Sequence, residues 1–111
     1  MSNGSDELFW ALADPTRRRI LDLLAEHGTL TVSQLAEQFP DLVPSGISKH
    51  LMRLRASGLV MATRRGRQQF YQIDSDTMTA ALTPWMAKYR PYWSAALERL
   101  HRLAEGDGLP R

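Results

Sequence analysis

The segment VPSGISKHLMRLRASGLVMATRRGRQQFYQI, residues 43–73, holds six basic side chains (Lys49, Arg53, Arg55, Arg64, Arg65 and Arg67) and no carboxylate. Its first half has helical spacing. With Ile47 at zero on a wheel of about 100° per residue, Leu51 and Leu54 fall within about 40° and form an apolar face. Ser45, Lys49, Met52 and Arg53 occupy the opposite face, with Ser48 and Arg55 on one flank. Pro44 suits a first helical position and Gly58 a helix end. The second half predicts strands at 60–63 and 69–73, joined by a turn over 64–68 in which Gly66 is free to take positive φ. A helix and a hairpin that both lack acid suit a polyanion, because hydroxyls, lysine and arginine reach base edges and phosphates together.

Upstream, Thr31 and Gln34 have capping-box spacing. They predict a short helix with Leu35, Ala36 and Phe39 inward, stopped by Pro40. Two short helices and a tight turn make a helix-turn-helix, here residues 31–58, followed by a wing at 59–74. Residues 6–27 read as two helices, with Asp14 as N-cap and Pro15 at the first position of the second, and Gly28 ending it. Downstream of Asp74 or Asp76, residues 75–105 read as a helical region that Pro84 and Pro91 restart or kink. Met1 to Ser5 is a polar leader and the chain ends in a Gly/Pro-containing tail. The expected fold is mainly α: one winged helix-turn-helix domain over 1–111, with a two-stranded hairpin wing and N- and C-terminal dimerisation helices.

The chain's 111 residues carry a net charge of +2, no cysteine and no long apolar run. Thiolate metal sites and disulfides are excluded, and no membrane-spanning segment or signal peptide is expected. A cytoplasmic protein is the simplest reading.

Three stretches together resemble the ArsR family of bacterial winged-helix transcription regulators: Ala11 to Leu21; Ile47-Ser48-Lys49-His50-Leu51 through Arg53-Leu54-Arg55 to Gly58-Leu59-Val60; and Arg64 to Gln68 through Tyr71 to Asp74. The C-terminal Trp85, Tyr89, Trp93 and Leu97-x-x-Leu100 pattern is similar to the metal-independent branch. The resemblance implies a homodimer that binds operator DNA and usually represses, with a reading helix over Pro44 to Ser57 and a wing over Thr63 to Gln69. The turn from Phe39 to Val43 is one residue longer than the family's, with Val43-Pro44 where a hydroxyl cap and a polar residue are common.

The candidate DNA-binding residues are therefore Ser45, Gly46, Ser48, Lys49, Met52, Arg53, Arg64, Arg65, Arg67 and Gln68. His50, beside the apolar face, is read as a packing residue at the core rim rather than a phosphate donor. Leu8, Phe9, Trp10, Trp85, Tyr89, Trp93, Leu97 and Leu100 exceed what a small core needs, and pairing with a second copy covers them. Two reading helices about 34 Å apart then imply an inverted-repeat operator in double-stranded DNA. No cofactor is implied. Glu98, His101 and Glu105 share a helix face but offer one histidine and two carboxylates, a thin metal site. The three histidines lie on separate helices, and Ser48 and His50 face apart, so no catalytic constellation forms. An alternative reading is a winged-helix protein-interaction module that does not bind DNA. Any small-molecule inducer is unknown.

Overall fold

The first helix boundary falls at Asp14 in the computed structural model, which describes residues 4–106. Helix α1 (Gly4–Ala13) ends there and α2 (Pro15–His27) begins. The Asp14 carboxylate accepts a hydrogen bond from the Arg17 amide at 2.9 Å, which supplies a partner to an N–H that the helix leaves unpaired. Arg17 then ties the two helices together. Its guanidinium lies 3.9 Å from the centre of the Trp10 ring and donates to the Trp10 carbonyl at 2.9 Å.

Thr31 forms the capping box expected with Gln34: each side chain bonds the other's backbone amide, at 3.1 and 2.9 Å. It opens α3 (Val32–Glu37), and the turn that follows leads to α4 (Pro44–Ala56). The end of α4 shows why glycine stands at position 58. The Gly58 amide bonds the Arg55 carbonyl at 3.0 Å and the Leu59 amide bonds the Leu54 carbonyl at 3.1 Å, with Gly58 at φ +86°. This is a Schellman closure, and the fully buried Leu54 and Leu59 supply its usual apolar contact. A β-carbon at Gly58 would also stand 3.3 Å from the Thr77 methyl group.

The wing differs from expectation at both ends of its turn. Strands β2 (Val60–Arg65) and β3 (Gln68–Ile73) pair through Arg65 and Gln68, leaving a two-residue turn of Gly66 and Arg67. Gly66 takes φ +61°, the positive value required of a glycine that comes first in a two-residue hairpin. A further strand, β1 (Leu30–Thr31), pairs antiparallel with β3, so the sheet has three strands in the order β1-β3-β2 rather than two.

The expected C-terminal helical region is two helices. Asp74 caps α5 (Ser75–Lys88), which carries Pro84 inside it, and the chain breaks at Tyr89 before α6 (Arg90–Gly106). Pro91 sits in the first turn of α6, where its missing N–H costs nothing. The core gathers Ile20, Leu21, Leu23 and Leu24 of α2, Leu35 of α3, Ile47, Leu51 and Leu54 of α4, and Leu59, Val60 and Tyr71 of the sheet region. Leu8 and Ala81 join α1 and α5 to it. Leu8 is only 2% exposed within its own chain, so its assignment to a subunit interface is corrected: it anchors α1 inward. Residues 1–3 of the polar leader and 107–111 of the tail lie outside the described residues; Gly4, Ser5, Glu105 and Gly106 are helical.

Candidate nucleic-acid interface

The buried stripe of Ile47, Leu51 and Leu54 fixes the rotation of α4. Removing three such side chains from water contributes about 1.5–3 kcal/mol each, enough to hold one helix face inward. Ser45, Lys49 and Met52 then stand exposed on the outer face, with Ser48 half-buried beside them. Helix α4 begins without a side-chain cap, because its N-cap residue is Val43.

The hairpin curls beside this face. Ser48, Met52 and Arg55 of α4, Arg67, Gln68 and Gln69 of the wing, and Thr31 to Ser33 line one open concavity of about 540 Å³, with Tyr71 at its base. It holds hydroxyls, amides and two guanidinium groups, and none of its lining residues is acidic. Tyr71 donates to the Gln69 side-chain carbonyl at 3.0 Å, which orients that amide at the groove's edge.

The structure does not bring all the expected cations together. Arg53 opens onto the other flank of α4, where it lines a separate concavity of about 590 Å³ with Asp6, Glu7, Trp10, Ala56 and Ser57. The acid-free character of residues 43–73 is therefore a property of the segment, not of its whole surroundings: α1 delivers two carboxylates to the Arg53 side. Arg55, placed on a flank by sequence and left out of the candidate residues, lines the groove. Its wheel angle, next to that of Ser48, was the signal.

Of the wing arginines, only Arg67 lies in the turn. Arg64 and Arg65 are the last two residues of β2 and leave opposite faces of the sheet. Arg64 donates through Nε to the Gly66 carbonyl at 3.2 Å, and Arg65 lies 5.5 Å from the centre of the Phe70 ring. Gly46 starts α4 with space around it, its nearest neighbour being a Val43 methyl at 4.0 Å. His50 is half-buried with Nδ1 shielded from solvent. The Asp14 carboxyl is held below its ordinary value, chiefly by the bond from the Arg17 amide, with the charges of Arg17 and His50 adding to it against the opposing effect of burial.

A second surface lies away from the groove. Phe9, Trp85, Tyr89 and Tyr92 form a ladder of rings with successive centroids 5.5, 5.1 and 6.4 Å apart, running from α1 through α5 to α6. Every ring in it is exposed, and so are Leu97, Leu100 and Leu103 of α6. Trp10 is partly covered by Arg17. Trp93 is half-buried, and its Nε1 donates to the Met86 carbonyl at 2.8 Å, closing the elbow between α5 and α6. Trp93, expected at the partner face, is thus engaged in its own chain's elbow. Among the described residues, no group of three or more His, Asp or Glu is placed to hold a metal ion, and His101 pairs with Glu105 at 3.1 Å. No helix among them is long and apolar enough to cross a membrane.

Comparison with known proteins places this geometry. A family described as a helix-turn-helix domain matches residues 12–62. The transcriptional regulator Rv2034 of Mycobacterium tuberculosis is 35% identical over 103 residues, covering 93% of this chain and 91% of that protein. The transcriptional repressor SdpR of Bacillus subtilis is 34% identical over 84 residues, covering 76% of this chain and 90% of its own length. A crystal structure of an ArsR family transcriptional regulator superposes with a TM-score of 0.70 at 35% identity, covering 83% of this chain and 98% of that one. The winged helix-turn-helix DNA-binding domain Mb0332 of Mycobacterium bovis, described as homodimeric in solution, gives a TM-score of 0.60 at 31% identity, covering 78% and 81%.

Proposed function

Since the chain belongs to the ArsR family of winged helix-turn-helix transcriptional regulators, we propose that it is a homodimeric, sequence-specific DNA-binding repressor that works without a metal. The observation that carries this reading is the acid-free groove between α4 and the wing, where Ser48, Met52 and Arg55 face Arg67 and Gln68. Ser45, Gly46 and Lys49 extend the same surface toward the start of α4. Arg64 flanks the groove at the wing, Arg65 takes the outer side of the sheet, and Arg53 plays the smaller part because Asp6 and Glu7 share its side.

The exposed ring ladder and the leucines of α6 supply the subunit interface, with Phe9, Trp85, Tyr89, Leu97 and Leu100 at its centre. Pairing through a twofold axis sets two reading helices about 34 Å apart, matched to an inverted-repeat operator. The chain acts as one domain in the cytoplasm, with no catalytic role. Repression is the reading favoured by the likeness to SdpR.

A gel-shift titration on DNA upstream of its own operon tests this. Lys49, Arg55 and Arg67 on each of two subunits give a log–log salt slope of about −5, at roughly −0.9 per neutralised phosphate. Equal binding to that DNA and to random DNA at moderate salt would remove the specific-regulator reading.

A further inference from the structure

We propose that Met52 reads the 5-methyl group of a thymine in each half-site of the operator. The inference rests on the DNA-binding reading above and adds to it the base feature recognised. Met52 is 66% exposed at the centre of the outward face of α4. Ser48 and Lys49 lie one turn before it, Arg55 lies one turn after it, and all are polar. A lone exposed methionine needs no explanation on an ordinary surface. This one lines the groove, with two guanidinium groups and two amides around it.

The chemistry of the major groove narrows what such a side chain can recognise. Guanine, adenine and cytosine present only donors and acceptors there, whereas thymine adds an apolar methyl group. A thioether donates no hydrogen bond and accepts only weakly. Pressed against a guanine or cytosine edge, it would strip water from groups that it cannot satisfy, which is costly. Against a thymine methyl it buries apolar surface on both sides. Its flexible, unbranched chain can follow the methyl over small changes in helix position. The serine and arginine neighbours remain free to bond adjacent bases or phosphates, so the methionine adds a methyl contact to a polar footprint.

The test begins with sites selected by the full-length protein from a random DNA pool. In the best site, each thymine is replaced singly by deoxyuridine, which removes the methyl and keeps every hydrogen bond. One thymine per half-site should show a loss of about fourfold, the worth of one buried methyl-sized group. In Met52→Ala, that penalty should vanish, so that the variant binds the thymine and deoxyuridine sites equally, whatever its affinity for either. Met52→Gln should shift selection at that position toward adenine, which a side-chain amide can bond at two points. The inference is overturned if deoxyuridine is neutral at every position, or if Met52→Ala keeps the full penalty. Those results would leave DNA binding itself intact. Failure of the native protein to enrich any site would instead remove the DNA-binding reading, and this inference with it.

Discussion

Helices α4 and α6 are both amphipathic, and they meet opposite fates. The α4 stripe of Ile47, Leu51 and Leu54 is 0% exposed, whereas Leu97, Leu100 and Leu103 of α6 are exposed by 54, 62 and 54%. In α6, only Trp93 and Ala96 are even half-buried among the described side chains. Periodicity marks an apolar face, but the rest of the chain decides whether that face is covered. Helix α4 finds α2, α3 and the sheet beneath it. Helix α6 extends beyond the elbow at Tyr89, where its own chain offers little to cover it. The first stripe is therefore a folding device, and the second stands free for the proposed pairing.

Substitutions can pull these roles apart. The largest effect is expected in α4: Leu51→Ala or Leu54→Ala should cost about 2–5 kcal/mol in denaturant melts, the cost of an interior cavity. That is a large share of the roughly 5–15 kcal/mol of a typical domain. In α6, Leu97→Lys with Leu100→Lys should leave helix content and the core intact but yield monomers in sedimentation. With the second half-site unlinked, operator affinity should fall roughly a hundredfold. If the double variant stays dimeric, or unfolds, the contrast between the two helices is wrong.

A finer contrast lies within α4. Arg55→Ala, in the groove, should weaken operator binding about tenfold, while Arg53→Ala, beside Asp6 and Glu7, should cost a few-fold at most. Arg67→Ala should lower affinity evenly across sequences and reduce the salt slope by about one per subunit. Reversal of the Arg53 and Arg55 effects in a filter-binding titration would show that DNA approaches from the α1 side.

The smallest effect concerns Asp14. Asp14→Ala should cost about 1 kcal/mol through loss of the N-cap. The folded carboxyl titrates below its ordinary value of 3.8, so its contribution is present above that pH and fades as pH falls through the lowered value. Asp14→Asn should keep most of the cap while flattening that acid-side loss, which melts between pH 5 and pH 2 would reveal.

How far the sequence disclosed this molecule follows from which interactions are local. Asp14-Pro15, the Thr31–Gln34 box and Gly58 act within a few residues of themselves, and they mark boundaries that the structure reproduces. The β1 strand escaped notice because two residues cannot show an alternating pattern, and only pairing with β3 defines them. Leu8, expected at the interface, is covered by its own chain instead, because apolar spacing does not say which surface covers a side chain. The division between Arg53 and Arg55 was hidden for a similar reason. A helical wheel gives their angles, but not that α1, far upstream, returns Asp6 and Glu7 to one flank and the wing closes over the other.

The most direct measurement is selection of bound sequences from random DNA by the full-length protein, at two salt concentrations. Enriched sites should be inverted repeats with half-site centres about 10 base pairs apart, recovered less well at the higher salt. Recovery of no common sequence, or of one without twofold symmetry, would contradict a paired groove built from α4 and the wing.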